Sequence, residues 1–153
     1  MRRLKIYIDT SVIGGYFDPE FENESKALFK KFQDKEFYIV ISDLTQSELT
    51  RAPKNVKDLI NNLDLHPEIV SISPEVITLA QEYINENVVG QTSMDDCLHI
   101  ALATINKIDI LVSWNFKHIV NIRRIRGYNA INILNGYPTL EIRSPKDIID
   151  YED

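Results

Sequence analysis

Cysteine occurs once in the 153 residues, at Cys97, so no internal disulfide can form and a reducing, cytoplasmic compartment is expected. Cys97 sits in an apolar stretch and reads as buried filler rather than as a nucleophile. Long apolar runs are also missing. The run after Met1-Arg2-Arg3 stops at Asp9, too soon for the apolar segment of an export signal. No later stretch approaches the ~20 apolar residues of a membrane span, so no membrane association is expected. Glycine and proline are sparse, at five and six, which with 44% hydrophobic residues excludes collagenous, low-complexity and disordered chains. Positive charge is in deficit: 17 Lys and Arg stand against 23 Asp and Glu, a net charge of −6. Any contact with nucleic acid must therefore be local.

What is present alternates between two periods. Strand patterns cover Leu4–Ile8, Phe37–Ile41, Ile69–Ile72, Ile108–Val112 and Ala130–Ile133, with a further edge strand at Leu140–Ile142. Helical spacing runs over Glu22–Asp34, Leu44–Arg51, Asn55–Leu63, Val76–Asn85 and Met94–Asn106. Asp9-Thr10-Ser11 reads as a strand-breaking turn, Gly14-Gly15 as a loop and Phe116–Ile122 as helical. Gly90 closes the segment after Asn85, and Ser144-Pro145 starts a last helix through Asp150. Strands alternating with helices, some of them continuous apolar runs, predict an α/β domain with a central parallel sheet covered on both faces, a three-layer α/β/α architecture. With neither a repeat nor a linker, residues 1–153 form one domain, with a core over about 4–133 and a C-terminal extension over 134–153.

In open parallel sheets, sites form outside the carboxyl ends of the strands. Asp9 follows the first strand and Ser42-Asp43 the second, while Ser113 and Asn115 follow the strand at Ile110–Val112. Asp95-Asp96 opens the central helix, and Glu48 lies a turn beyond the second strand. Taken singly, each has an ordinary explanation. Asp9 can cap a turn, Glu48 can be a solvated helix residue, and Asp95-Asp96 can favour the helix dipole. Asn115 can be a turn residue, and His99 a core or helix-surface histidine. Taken jointly, carboxylates gathered in one cleft repel one another unless a cation compensates. Hard oxygen ligands without clustered Cys or His favour Mg²⁺ or Mn²⁺ over zinc, and neither His66 nor His118 has zinc-ligand spacing.

Four stretches together carry a resemblance: Ile6-Tyr7-Ile8-Asp9-Thr10-Ser11, Glu48 within Ser42-Asp43-Leu44-Thr45-Gln46-Ser47-Glu48-Leu49, Asp96-Cys97-Leu98-His99-Ile100-Ala101, and Leu111-Val112-Ser113-Trp114-Asn115. In that order the chain resembles the PIN-domain nucleases, and within them the VapC-like toxins of type II toxin–antitoxin systems. The resemblance implies a Mg²⁺- or Mn²⁺-dependent endoribonuclease that leaves 5′-phosphate and 3′-hydroxyl ends. It makes Asp9, Glu48 and Asp96 the family's first three carboxylates and selects Asp96 over Asp95. Asn115 falls where many members carry a fourth acid, so the Ser-Trp-Asn-Phe-Lys-His form departs from the pattern and bears on a second metal. On this reading Asp9 and Asp96 hold the principal metal, Glu48 binds or orients its water, and Asn115 supports the same shell. Thr10, Ser11 and Ser113 position carboxylates or phosphate.

Lys117, Arg123, Arg124 and Arg126 make the densest basic stretch and are the candidate RNA contacts, with a solvated helix end as the ordinary reading. Trp114 and Phe116 can stack on an unpaired base, or pack in the core. The resemblance also implies a small antitoxin partner and a homodimer. One alternative is an interaction protein with a weak or silent nuclease site, which Asn115 keeps open. Another is an Asp-dependent phosphoryl-transfer domain, against which Ser11 stands where an Asp-x-Asp motif needs its second acid.

Overall fold

Successive side chains of a strand point to opposite faces, and β1 (Leu4–Ile8) shows the consequence: Ile6 and Ile8 enter one buried cluster while Tyr7 enters the other. The computed structural model describes residues 2–87 and 92–149. After β1 come α1 (Thr10–Gly15), α2 (Glu22–Gln33), β2 (Phe37–Ser42), α3 (Asp43–Leu49), the short α4 (Lys54–Lys57) and α5 (Leu59–Asn62), and β3 (Glu68–Val70). The chain continues through α6 (Pro74–Asn85), α7 (Met94–Ile105), β4 (Ile110–Val112), α8 (Ile122–Leu134), β5 (Glu141–Arg143) and α9 (Pro145–Ile149).

The five described strands form one parallel sheet in the order β3-β2-β1-β4-β5. On one face Tyr7, Val40, Leu111 and Ile142 pack with Ala80, Tyr83, Ile100, Leu102 and Tyr128 of α6, α7 and α8. On the other, Ile6, Ile8, Ile39, Ile41, Ile110 and Val112 meet Leu28, Phe29 and Phe32 of α2 and Ile148 of α9. The expected three layers are therefore present, with both faces of the sheet covered. Because the chain leaves β1 first toward β2 and later returns to β4 on its other side, the order reverses between β1 and β4. A crevice opens at such a switch point. No helix among the described residues is long and apolar enough to cross a membrane.

Four local expectations are corrected, one of them Phe116–Ile122, where residues 116–119 form a turn and only Ile122 is helical, as the first residue of α8. Ala130–Ile133 is no strand but part of α8, whose buried residues Gly127, Tyr128, Ile131 and Asn132 recur at helical spacing while Ile133 is exposed. Asn121 starts this helix by accepting from the Arg123 and Arg124 amides. The Asp9-Thr10-Ser11 turn and Gly14-Gly15 loop are instead the site of α1, which brings Gly15 against Trp114 and Ser25. Asn55–Leu63 is divided into α4 and α5. Residues 134–149 are built into the architecture, since β5 pairs with β4 and α9 packs on α2. Gly90 and Asp150 lie outside the described residues.

Candidate active site

Asp9 is the first residue past β1 and occupies the N-cap position of α1, yet its side chain makes no cap hydrogen bond. Both carboxylate oxygens are used otherwise: Ser11 Oγ donates to Oδ1 and Ser113 Oγ to Oδ2, each at 2.6 Å. Asp9 is only 5% exposed. Burial pushes its carboxyl above the ordinary range, against the opposing pull of His99, Ser11, Ser113 and the Val12 amide. The same two serines tie the loops after β1 and β4 together. Ser11 Oγ accepts the Trp114 amide and Ser113 Oγ the Asn115 amide, both at 2.9 Å.

Asp96 arrives from the other side. Ser93 caps α7 by accepting the Asp96 amide at 3.1 Å, which sets the acid in the first turn. Asn115 Nδ2 donates to Asp96 Oδ1 at 3.4 Å, while Asn115 Oδ1 accepts the His118 amide at 2.9 Å. The amide therefore turns its nitrogen, not its oxygen, toward Asp96. A continuous chain of hydrogen bonds runs Asp9–Ser113–Asn115–Asp96. Asp95, its neighbour, is exposed to solvent.

Glu48 lies on α3, whose start is fixed by Ser42 accepting the Thr45 amide at 3.1 Å. Glu48 Oε1 accepts from Thr10 Oγ1 and from His99 Nε2, each at 2.8 Å. Burial pushes this carboxyl up, but the His99 hydrogen bond and charge, with Thr10 and Arg51, outweigh it and hold the group below its usual range. His99 stands three residues after Asp96 and so shares its helix face. Its Nδ1 lies 2.6 Å from the buried Tyr7 hydroxyl. From the sequence His99 reads as a core-facing or helix-surface histidine or as a ligand, and its three-residue spacing from Asp96 is the signal for it; no local signal marks the polar role of Tyr7.

Among the described residues, no three His, Cys, Asp or Glu side chains converge in the geometry of a metal site. The donors at this edge are nonetheless all hard oxygens. Mg²⁺ is commonly held by one or two carboxylates with water and substrate phosphate rather than by a full protein cage. Asp9 is buried with a hydroxyl donor on each oxygen, and its carboxylate charge is one that a metal ion would neutralise. The chemistry of Asp9, Glu48 and Asp96, all oxygen donors, is the kind a hard divalent ion takes.

The remaining candidates divide. Lys117 is exposed in the turn after Asn115, and Arg123 and Arg126 are exposed on α8. Arg124 is half-buried on α8, where its charge acts on Cys97 of α7. Burial pushes the Cys97 thiol up to about 12, with Asp96 raising it further and Arg124 opposing, so Cys97 stays a protonated thiol. Trp114 belongs to the core, stacked on Phe21 at 4.3 Å with its indole N–H donated to Ser25. Phe116 is half exposed. A cavity of about 920 Å³ opens at the opposite, amino-terminal edge of the sheet among Arg3, Phe37 and His66, away from all of these acids.

The PIN domain family model matches residues 6–118. No curated protein sequence matches the chain. Among solved structures, the chain is similar to VapC20 of Mycobacterium tuberculosis, a Sarcin-Ricin loop cleaving toxin, with a TM-score of 0.59 and 14% identity over 74% of this chain and 92% of that one. It is similar to VapBC2 of Rickettsia felis bound to a DNA fragment from their promoter, with a TM-score of 0.59, 16% identity and coverage of 92% and 98%. FitAcB of Neisseria gonorrhoeae gives a TM-score of 0.58 at 11% identity, with the same coverage of 92% and 98%. At these identities the likeness concerns the fold.

Proposed function

The chain belongs to the PIN domain family, and from that premise we propose that it is a Mg²⁺- or Mn²⁺-dependent endoribonuclease, the toxin of a toxin–antitoxin pair. The observation that carries this reading is the hydrogen-bonded chain Asp9–Ser113–Asn115–Asp96, which couples two carboxylates from distant elements across the switch point.

Asp9 and Asp96 would hold the ion, with Glu48 at the same edge. When bound, the ion supplies charge compensation on the phosphoryl oxygens and makes water acidic enough to ionise near neutral pH. The protein's own groups do the rest. Ser11 and Ser113 aim the Asp9 carboxylate, and the Asn115 amide nitrogen steadies Asp96 without adding negative charge. Glu48, held below the usual carboxylate range, is ionised at neutral pH and orients the attacking water by accepting a hydrogen bond from it. Lys117, Arg123, Arg124 and Arg126 supply phosphate contacts, which position a nucleic acid without reading its sequence. Phe116 offers an exposed ring on which an unpaired base can stack.

The partner we propose is a small antitoxin protein that places a basic side chain among the carboxylates, on a homodimer of this chain. Likeness to the Rickettsia and Neisseria structures supports the antitoxin. Co-expression with the product of any short reading frame overlapping or preceding the gene, followed by co-purification, tests it.

A second reading is favoured by one observation, the neutral Asn115 facing Asp96 in place of an acid: an interaction protein whose site binds metal with little turnover. Incubating wild type and Asp96→Asn with a mixed RNA pool and Mn²⁺, followed by end mapping, separates the two. The ribonuclease reading expects 5′-phosphate ends from wild type alone. Metal binding without fragments favours the interaction protein, and equal cleavage by both proteins contradicts the assignment.

A further inference from the structure

We propose that Tyr7 and His99 form a positioning pair for Glu48, fixing which carboxylate oxygen it presents at the carboxyl edge of the sheet. The proposal rests on the ribonuclease reading for its consequence, but its geometry stands by itself. His99 is buried, and both ring nitrogens are engaged: Nδ1 with the Tyr7 hydroxyl at 2.6 Å, and Nε2 with Glu48 Oε1 at 2.8 Å. An ionised carboxylate only accepts hydrogen bonds, so Nε2 carries the proton. A phenol can either donate to a bare Nδ1 or accept from a protonated one. The orientation of the ring is therefore the same whether the imidazole is neutral or charged, which a partner that only accepts, such as a carboxylate, or only donates, such as a backbone N–H, would not secure.

The network also closes on itself. The Tyr7 hydroxyl lies 2.7 Å from Ser42 Oγ, the atom that caps α3 by accepting the Thr45 amide. Since α3 carries Glu48, one ring of contacts runs from the start of that helix through Tyr7 on β1 and His99 on α7 back to the Glu48 side chain. Thr10 from α1 adds a second donor to the same oxygen at 2.8 Å. Glutamate ordinarily samples several rotamers, and holding it costs entropy. Here two donors converge on Oε1 and leave Oε2 without a protein hydrogen bond among the described residues. Supporting partners of this kind hold a reactive group within the narrow tolerance that chemistry demands. Because His99 is one turn beyond Asp96, the same helix face sets both acids.

Four variants test the pair: Tyr7→Phe, which keeps the ring in the core and removes only the hydroxyl; His99→Leu, which removes both nitrogens; His99→Gln, which restores a donor; and Glu48→Ala, which removes the carboxylate. The first readout is the exchange rate of the imidazole Nε2–H in metal-free protein by nitrogen-15 NMR. It should be slow in wild type and at least tenfold faster in Tyr7→Phe and Glu48→Ala. The second is RNA cleavage with Mn²⁺. His99→Leu should lose at least tenfold in kcat with KM within twofold, and His99→Gln should recover most of that loss. Folded Tyr7→Phe and His99→Leu proteins with wild-type kcat would overturn the proposal, as would a loss confined to KM or a His99→Gln protein no better than His99→Leu. Should wild type cleave no RNA, the ribonuclease reading fails by itself. Exchange then decides the pairing, and equal Nε2–H rates in wild type, Tyr7→Phe and Glu48→Ala would refute it.

Discussion

Ser113 Oγ donates to Asp9 Oδ2 at 2.6 Å across 104 residues of chain, joining the ends of two neighbouring parallel strands at the point where strand order reverses. The serine also accepts the Asn115 amide at 2.9 Å. Ser113→Ala therefore strands a buried carboxylate oxygen and a backbone N–H together. A loss of about 1–3 kcal/mol is expected, read as a melting temperature lower by roughly 2–4 °C for each kcal/mol in a domain of this size.

Asp9 itself should oppose folding at neutral pH. Burial raises its folded-state pKa above the unfolded value, so the charged form is penalised once pH exceeds the ordinary carboxylate pKa, and the penalty vanishes below it. Asp9→Asn should melt higher than wild type at pH 7, and the gain should fade as pH falls from the raised Asp9 value toward the usual carboxylate range, below which it is gone. Melting curves in EDTA at several pH values check both the sign and the window.

Glycine at position 15 answers to a close approach. A Cβ there would stand 2.7 Å from both Trp114 Nε1 and Ser25 Oγ. An alanine in a helix is ordinarily stabilising by roughly 0.5–1 kcal/mol relative to glycine. Gly15→Ala should instead destabilise by about 1–3 kcal/mol through overpacking, with a red shift of tryptophan emission as the indole is displaced from Ser25. A more stable Gly15→Ala protein would contradict the packing described.

Asn115→Asp tests whether the amide stands in for an acid. The change replaces the Nδ2–H donor 3.4 Å from Asp96 Oδ1 by an oxygen, so without metal the like charges should lower the melting temperature. Saturating Mg²⁺ should then raise it by more in Asn115→Asp than in wild type, by the binding linkage that any ligand of the native state provides. Equal metal-induced shifts would show that position 115 has no part in holding cations.

The alternation of Ile6, Tyr7 and Ile8 and the apolar runs between helices made the layered architecture readable from the sequence, while Asp9, Glu48 and Asp96 were singled out by the acids near strand ends together with the family resemblance. What hid the rest was tertiary. His99 and Tyr7 sit among apolar neighbours, so local pattern assigns them to the core, where they indeed are, and only the fold reveals what their polar atoms meet. Ala130–Ile133 alternates like a strand, yet Tyr128, Ile131 and Asn132 have a core to face at helical spacing. α1 was obscured because its Gly14-Gly15 end looks like a loop until Trp114 is seen against it. The short β5 depends on pairing with β4 for its existence, so an edge strand was legible there but its integration into the sheet was not.

The central claim is that Asp9 and Asp96 share one divalent ion, and a Mn²⁺ titration of wild type, Asp9→Asn and Asp96→Asn followed by electron paramagnetic resonance tests it most directly. One saturable site is expected in wild type, weakened at least tenfold in each variant while both remain folded. Mn²⁺ binding of wild-type strength in both variants would contradict the account.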